Sequence, residues 1–314
     1  MKRALILSGG GSRGSFQVGV WKYLQEKKWY PDMICGTSIG AINAVAIGSG
    51  LTVEEMANIW TTSVSNRKKI YKLQILNFIA NALFRGRWVP LMDTTPLKNM
   101  IQSNIDFSRL KKSTTEIIIS AVNLHTAIPE FFNQNEITIN HIMASSAMPI
   151  IFPPHKINGI PYWDGGIMAN IPLLPALSRE MDEIIVVLLS PFGHDFHLPE
   201  PKKLFDAGEH LLEQSLVSSY QNTLMGQDIK SIKDQLSASS YLRRKSQIED
   251  FTKRESDNIS NVNNNKRKTT PRIITIAPLK MLGIPSLLNF TLEQANRLIA
   301  QGYNNAHQKL NNIL

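Results

Sequence analysis

A short apolar strand that leads directly into Gly-Thr-Ser-Ile-Gly is the feature that most restricts how this chain can fold. The strand is Met33–Cys35, the glycine-flanked serine is Ser38, and small apolar residues from Ala41 to Ile47 follow as a helix. The glycines Gly36 and Gly40 permit a turn that a Cβ would forbid. G-x-S-x-G between a strand and a helix is typical of a nucleophile elbow, whose serine meets the positive end of the helix. The sequence therefore predicts a serine hydrolase.

The base that would activate Ser38 is harder to identify from the residues. The usual base is a histidine held by a carboxylate, and none of the seven histidines lies in a setting typical of catalysis. Asp164 is different, because it follows two aromatic residues and precedes Gly165 and Gly166. An aspartate at a strand end can point toward a neighbouring strand end, although an Asp-Gly turn without catalytic function is common. The residues alone leave both kinds of base open. The histidines are His125, His141, His155, His194, His197, His210 and His307.

A glycine-rich segment, Gly9–Gly14, follows the first apolar strand. Gly9, Gly11 and Gly14 fit the dinucleotide-binding pattern G-x-G-x-x-G, which a nucleotide-binding module would use. That pattern also needs an acidic residue at the end of the second strand to hold the ribose. Asp32 is at about the right distance but precedes the second strand, whose end is occupied by the elbow. The dinucleotide interpretation is therefore disfavoured.

The same segment can instead serve a hydrolase. The N–H groups of Gly10 and Gly11 would stabilise the oxyanion that develops when Ser38 attacks an ester, and Arg13 would brace the loop, for example through backbone carbonyls. An ordinary glycine turn is the third interpretation. Because the elbow follows about one βα unit later, we favour the oxyanion interpretation.

Together these motifs resemble those of the patatin-like phospholipase family. The family's segment before the aspartate is similar to A-S-S-A-M-P at Ala144–Pro149, followed by Phe152–Pro154. Its pattern D-G-[GA]-x-x-x-N-x-P matches Asp164–Pro172. The resemblance covers about residues 1–190, and four motifs in the same order are highly specific. Gly302-Tyr303 also fits the family. One departure from the family pattern is Ser8, since members often have an aspartate at this place before the glycines. The departure concerns how the loop is braced.

The resemblance implies a Ser–Asp dyad that needs no histidine. Ser38 would be the nucleophile and Asp164 the general base, with Gly10 and Gly11 as the oxyanion hole. The activity implied is hydrolysis of fatty-acyl esters of phospholipids, lysophospholipids or related lipids through an acyl-enzyme, with no metal or other cofactor. A conventional Ser-His-Asp esterase is the alternative enzyme. The residues that support the motifs are Gly9, Arg13, Gly14, Gly36, Gly40, Gly165 and Gly166.

Charge and composition limit the partners. The net charge is +9, and much of the excess lies in clusters such as Arg67–Lys69. No nucleic-acid-binding motif accompanies this charge, so we expect a lipid ester substrate and transient contact with an anionic membrane surface, but no nucleic acid. The sequence shows no transmembrane run or signal peptide, and the single cysteine, Cys35, excludes internal disulfides. We expect a cytoplasmic protein, peripheral at a membrane.

The order of predicted elements indicates a mostly parallel central sheet with helices on both faces, a patatin-like three-layer α/β/α fold. Strands are expected at 3–8, 33–37, 116–122, before Asp164, at 183–189 and at 273–276, with 130–133 as a hairpin partner. Helices are expected at 14–27, 39–48, 53–61, 96–103, 137–146, 172–180, 202–236 and 291–310. We predict one domain over residues 1–314, with a polar, mobile insertion at about 237–270.

Residues 67–88 are predicted to be largely helical. From Ile70 to Arg85 the polar positions form one narrow stripe, and the remaining face is wide and apolar. Packing of that face against the sheet is the simpler interpretation. The alternative is a cap over the Ser38 cleft that rests on a bilayer, with Arg67–Lys69, Arg85 and Arg87 toward anionic headgroups and Trp88 at the interface.

Overall fold

Strands and helices alternate along the chain. The computed structural model describes residues 1–63, 70–74, 81, 89–192, 200–203, 207, 210–211, 213–216, 218, 271–280, 282–283 and 285–314. The strands are β1 (Arg3–Leu7), β2 (Met33–Thr37), β3 (Lys72–Leu73), β4 (Met92–Asp93), β5 (Glu116–Asn123), β6 (Ile128–Asn133), β7 (His155–Ile157), β8 (Ile160–Asp164), β9 (Glu183–Val187) and β10 (Arg272–Ile276). The helices are α1 (Ser15–Glu26), α2 (Ile39–Gly48), α3 (Val53–Asn58), α4 (Thr95–Asn104), α5 (Phe107–Lys111), α6 (Ile139–Ser145), α7 (Gly166–Ala169), α8 (Leu174–Ser178), α9 (Pro285–Leu288) and α10 (Leu292–Leu310). A 3₁₀ turn at Gly11–Gly14 precedes α1, and a π-helical turn at Ile59–Ser63 follows α3.

The central sheet is mostly parallel, as the sequence predicts. Its strand order is β10-β9-β1-β2-β5-β8-β7, and the pairs from β10 to β5 are all parallel. The strands β8 and β7 are antiparallel to their neighbours, and β6 pairs with β5 as the predicted hairpin partner. The carboxyl ends of β1, β2 and β9 therefore meet at one edge of the sheet, where ligands bind in such folds.

Alternate residues of the central strands enter two different cores, which makes the fold three-layered. Leu5 and Ile34 pack with α1, α2 and α10 on one face. Ile6 and Cys35 pack with α8 on the other face, where they meet Leu177. Because the side chains of a strand alternate between the two faces, strands covered on both sides read as continuous apolar runs. Burial also raises the pKa of the Cys35 thiol, which behaves as a small core residue.

The end of the chain returns to the sheet. Strand β10 pairs with β9, and α10 packs along α1. The two helices approach closely because a Cβ on Gly302 would meet the carbonyl oxygen of Phe16, and a Cβ on Gly19 would meet that of Ile299. Tyr303 fixes the same contact through a 2.6 Å hydrogen bond to Glu26.

Within the predicted helical segment 67–88, the prediction of helix is wrong for residues 70–74. Lys72 and Leu73 form β3, which pairs antiparallel with β4, and Ile70 and Tyr71 are buried in the core. Tertiary pairing with β4 overrides the local helical pattern here. Residues 64–69, 75–80 and 82–88 lie outside the described part of the chain, so the predicted cap over the cleft is not tested. Most of the predicted helix 202–236 and the whole predicted insertion at 237–270 also lie outside it.

Several short elements are absent from the sequence predictions, namely β3, β4, β7, α5, α7 and α9. Each has five residues or fewer, too few to show a clear periodicity. Among the described residues, we find no helix with the length and hydropathy that a bilayer crossing requires.

Candidate active site

Ser38 lies on a strained turn between β2 and α2. Its backbone has φ 56° and ψ −123°, which is rare for a residue with a side chain. The turn closes because Gly36 and Gly40 let the backbone fold tightly: a Cβ on Gly36 would meet the carbonyl of Gly40, and a Cβ on Gly40 would meet that of Leu7. Ser38 thus precedes the first turn of α2, whose positive end favours negative charge.

Strand β5 brings Asp164 to Ser38. Its residues Glu116–Ser120 pair with β2, and along the same edge the next residues pair with β8. Thr37 is opposite Ser120, and Asp164 is opposite Ala121. The antiparallel strand β8 therefore ends where β2 ends.

The Ser38 hydroxyl donates a 2.6 Å hydrogen bond to Asp164 Oδ2. The other carboxylate oxygen accepts the Gly166 N–H at 2.7 Å. Both side chains are buried, with 7% exposure for Ser38 and 5% for Asp164. Burial raises the pKa of Asp164 to about 6, because loss of water outweighs the two hydrogen bonds that favour the charged form. A carboxylate with a pKa near neutral is suited to accept and return a proton.

Gly165 and Gly166 fit closely around this carboxylate. A Cβ on Gly165 would lie 2.5 Å from Ser120 Oγ and 3.0 Å from Thr37 Cγ2. The Asp-Gly-Gly sequence therefore makes the turn that its residues predict, and the turn also packs against the strand that carries the serine.

Two of the described histidines, His141 and His307, pack against other parts of the fold. His141 Nδ1 lies within hydrogen-bond distance of the Thr138 N–H and hydroxyl, and its ring packs against Phe132. His307 packs against Tyr23 in the helix pair α1–α10. Among the described residues, no histidine forms a hydrogen bond with Ser38 or Asp164. His194 and His197 lie outside them.

The glycine loop packs directly against the elbow. A Cβ on Gly9 would lie 2.5 Å from Asn170 Oδ1 and 3.0 Å from Ser38 Cβ. The Gly9 N–H donates to the side chain of Asn170 at 3.0 Å. Within the described part of the chain, the N–H groups of Gly10 and Gly11 form no hydrogen bond, and Gly11 lines the cavity that contains Ser38. The glycine loop therefore meets the cavity at Gly11.

The side chain of Arg13 holds the glycine loop through buried contacts. Its guanidinium is completely buried, forms an ion pair of 2.6 Å with Glu213, and donates to the carbonyls of Leu189 and Gly283. The Ser8 hydroxyl, at the position that departs from the family, accepts the Leu189 N–H at 3.1 Å. The loop is therefore tied to the end of β9 by two side chains.

Gly14 directly precedes α1 and makes a tight contact with the elbow. A Cβ there would lie 2.9 Å from the ring of Trp60 and would also meet the side chain of Ile39. A residue larger than glycine would push α1 away from the serine turn.

The acidic residue that a dinucleotide would need lies at the wrong end of the sheet. Asp32 accepts the Arg3 N–H at 2.7 Å, beside the first residue of β1. The glycine loop lies beyond the last residue of the same strand. This geometry gives Asp32 no access to a ribose held at Gly9–Gly14.

A cavity with mainly apolar walls contains both Ser38 and Asp164. Side chains from α2, α3, α4 and the segments around 148–152 and 287–290 form the walls. Such a cavity can hold a hydrocarbon chain with one end at the serine. Its apolar wall residues include Ile39, Ile42, Met56, Trp60, Ile101 and Phe152.

The segment Ala144–Pro149 has contacts that the residues themselves do not predict. The Ser38 N–H donates to Ser145 Oγ at 2.9 Å, and the Asp164 N–H donates to the carbonyl of Ala147 at 2.9 Å. This short segment therefore holds the backbone of both residues. Its resemblance to the family motif was the only sequence signal for it.

Comparison with known proteins agrees with these observations. A family model described as patatin-like phospholipase matches residues 5–177, more than half of the chain. A cGAMP-activated phospholipase from Vibrio cholerae is 28% identical over 195 residues, which cover 54% of this chain and 55% of that protein. Lysophospholipase NTE1 from Candida glabrata is 26% identical over 185 residues, covering 58% of this chain and 10% of that protein.

Among solved structures, VipD from Legionella pneumophila aligns with 99% of this chain and 67% of its own, at 15% identity and a TM-score of 0.49. The chain spans about half the length of the cGAMP-activated phospholipases that it matches.

Proposed function

The chain belongs to the patatin-like phospholipase family, and from this premise we propose that it hydrolyses fatty-acyl esters of phospholipids or lysophospholipids through a Ser38–Asp164 dyad. The observation that carries the proposal is the 2.6 Å hydrogen bond from the Ser38 hydroxyl to Asp164 Oδ2. It joins a serine on an elbow to a buried base, and both residues line an apolar cavity.

In the first half of the reaction, Asp164 Oδ2 takes the hydroxyl proton as Ser38 Oγ attacks the ester carbonyl carbon. Negative charge moves to the carbonyl oxygen. The N–H groups of Gly10 and Gly11, which have no acceptor among the described residues, donate hydrogen bonds to it. The intermediate then collapses to an acyl-serine. The protonated Asp164 returns its proton to the oxygen of the departing alcohol.

In the second half, Asp164 takes a proton from a water molecule, which attacks the acyl-serine carbonyl. The same N–H groups stabilise the second oxyanion. Collapse releases the fatty acid, and Asp164 gives the proton back to Ser38 Oγ. One carboxylate thus serves as base and acid in turn, which a pKa of about 6 permits near neutral pH.

The cavity supports a lipid substrate. Its walls are mainly apolar, and the dyad lies among them, so an acyl chain would be buried while its ester reaches Ser38. Relatives named as a cGAMP-activated phospholipase and a lysophospholipase support esters of this class.

We propose that the transient membrane contact involves the surface beside the cavity. Leu73 is 57% exposed and Ile150 is 64% exposed, and both segments are bonded to the backbone around Leu91. Met148 and Phe152, on either side of Ile150, line the cavity. Exposed apolar residues beside a lipid-binding cavity fit a surface that touches a bilayer only while substrate is taken up.

The Ser-His-Asp alternative receives no support from the described residues. Among the described residues, Asp164, which would orient a histidine in such a triad, accepts no hydrogen bond from an imidazole, and its Oδ2 accepts the Ser38 hydroxyl. The dinucleotide alternative is opposed by the position of Asp32.

A lipid panel tests the proposed function. Wild-type protein, Ser38→Ala and the control Ser49→Ala should be incubated with phospholipids, lysophospholipids and acylglycerols, and released fatty acids measured by mass spectrometry. Ser49 is also a buried serine at the end of α2, but its hydroxyl bonds to the Ala46 carbonyl. We expect release by wild type and Ser49→Ala, none by Ser38→Ala, and fluorophosphonate labelling at Ser38. Equal release by Ser38→Ala would refute the proposal.

A further inference from the structure

Ser146 lies between the two residues that hold the backbone of the dyad. Its neighbour Ser145 accepts the Ser38 N–H, and its other neighbour, Ala147, accepts the Asp164 N–H. Ser146 is the residue that ends α6, and its own N–H bonds to Ile142. Its backbone position is therefore fixed relative to both Ser38 and Asp164.

The Ser146 hydroxyl has no hydrogen-bond partner, although the side chain is only 7% exposed. It lines the same cavity as the dyad. The two asparagine side chains that line the cavity do have hydrogen-bond partners: Asn43 donates to Gly14 and Gln17, and Asn104 donates to Met100. A buried hydroxyl without a partner is costly unless a ligand supplies one.

The position of Ser146 in the sheet indicates which atom of the substrate it would meet. The glycine loop follows β1, whereas α6 packs against β5 and β8. Strands β1 and β5 flank β2 on opposite edges, so Ser146 lies across Ser38 from Gly10 and Gly11. When the carbonyl oxygen of an ester is bound by the glycine loop, the alcohol oxygen must point away from that loop.

We infer that the Ser146 hydroxyl donates a hydrogen bond to the alcohol oxygen of the bound ester, which becomes the leaving group. The inference rests on the proposed function. As the carbon–oxygen bond breaks, negative charge develops on this oxygen, and the proton it finally gains comes from Asp164. Ser146 keeps its own proton throughout. Its role is to bind and stabilise the departing alcohol.

A leaving-group comparison tests this role. An alkyl ester and a p-nitrophenyl ester of the same fatty acid form the same acyl-enzyme, but only the alkoxide is a poor leaving group that needs a donor. For Ser146→Ala we expect kcat/KM to fall about tenfold with the alkyl ester and to stay within about twofold with the p-nitrophenyl ester. Ser146→Thr, which keeps a hydroxyl, should return the ratio of kcat/KM for the alkyl ester to kcat/KM for the p-nitrophenyl ester to its wild-type value.

The ratio is independent of how much of each variant is folded, because both esters are assayed on one preparation. Ser49→Ala is the matched control, since it removes a hydroxyl from another buried serine at a helix end, and its ratio should equal that of wild type. An unchanged ratio in Ser146→Ala would overturn the inference while leaving the proposed function intact. If wild-type protein hydrolyses neither ester, the proposed function fails and the inference falls with it.

Discussion

The hydroxyl of Ser38 and the carboxylate of Asp164 are joined by a hydrogen bond of 2.6 Å, although 126 residues separate them in the chain. Both are buried, and Asp164 Oδ2 bonds directly to the serine. The activity of the protein, its pH dependence and its stability should therefore all depend on Asp164.

Replacement of Asp164 by Asn should remove almost all esterase activity. Asparagine preserves the shape of the side chain but cannot accept the Ser38 proton, so we expect kcat to fall by at least about 10³-fold. Groups that act as one unit lose activity together, so the double variant with Ser38→Ala should be little worse than either single variant. Steady-state kinetics and circular dichroism on all three variants provide the measurement. Near-normal turnover in Asp164→Asn, or loss of activity on replacing one histidine, would contradict the dyad.

The pH dependence should report the raised pKa of Asp164. Below about pH 6 the carboxyl is protonated and cannot act as a base, so kcat/KM should rise with pH around a midpoint near 6 and then level off. A histidine base could give a similar midpoint, but imidazole ionisation has a large enthalpy and carboxyl ionisation a small one. The midpoint should therefore hardly shift between 15 and 35 °C, about a 20 °C range. A clear temperature shift would favour histidine.

The buried Asp164 should also make the protein less stable as pH rises. Its pKa is about 6 in the folded protein and 3.8 as the ordinary value, so the folded state binds the proton more tightly and stability falls between these values. Asp164→Asn has no ionisable group at this position, so its stability should not show this fall with rising pH. Its free energy of unfolding relative to wild type should increase by roughly 1 kcal/mol from pH 5 to pH 8. Urea denaturation of both proteins measures the difference, and a constant difference would show that the carboxyl is not perturbed.

The glycine loop should affect the transition state more than substrate binding. In Gly10→Ala the new Cβ would lie 2.8 Å from the side chain of Leu189, and φ is 154°, so the N–H would turn away from the oxyanion. Loss of one such donor typically lowers kcat by about 10²–10³-fold. Gly159→Ala is the control, since that glycine also has a positive φ, 85°, but a Cβ there meets nothing within 4 Å. A change in KM alone would contradict the role in the oxyanion hole.

Membrane contact should depend on the basic cluster Arg67–Lys69, whose residues lie outside the described part of the structure. Each basic residue near an anionic surface contributes about 1 kcal/mol, so replacing all three by Gln should weaken binding to anionic vesicles by roughly 100-fold. Sedimentation with anionic and neutral vesicles measures this effect, and hydrolysis of a short soluble ester should be unchanged. If wild-type protein does not bind vesicles, or the variant binds as well, the membrane role of this segment is wrong.

Local patterns were sufficient where neighbouring residues decide the outcome. The alternation of apolar strands and amphipathic helices predicts the three-layer fold. Strands buried on both faces have continuous apolar sequences, which can be recognised without tertiary information. The turn at Ser38 follows from Gly36 and Gly40, which are the residues a tight elbow requires.

Other features depend on contacts between distant parts of the chain. The sequence predicts a helix that includes Lys72 and Leu73, yet pairing with Met92–Asp93 makes them a strand. The Arg13 side chain reaches Glu213, 200 residues away, and no local signal identifies that partner.

Local residue patterns predict the strand–turn–helix that presents Ser38 and the glycine loop beside it, because short-range sterics and periodicity act within a few residues. The residues alone left the base open, and the family resemblance implied Asp164. The tertiary structure brings Asp164 against Ser38 and leaves the Ser146 hydroxyl without a partner among the described residues. Asp164 reaches Ser38 because β8 continues along the edge of β5 where β2 ends, and Ser146 is aimed into the cavity because its two neighbours are bonded to the dyad. Strand register and packing are set by the whole chain at once, which is why one segment does not reveal them.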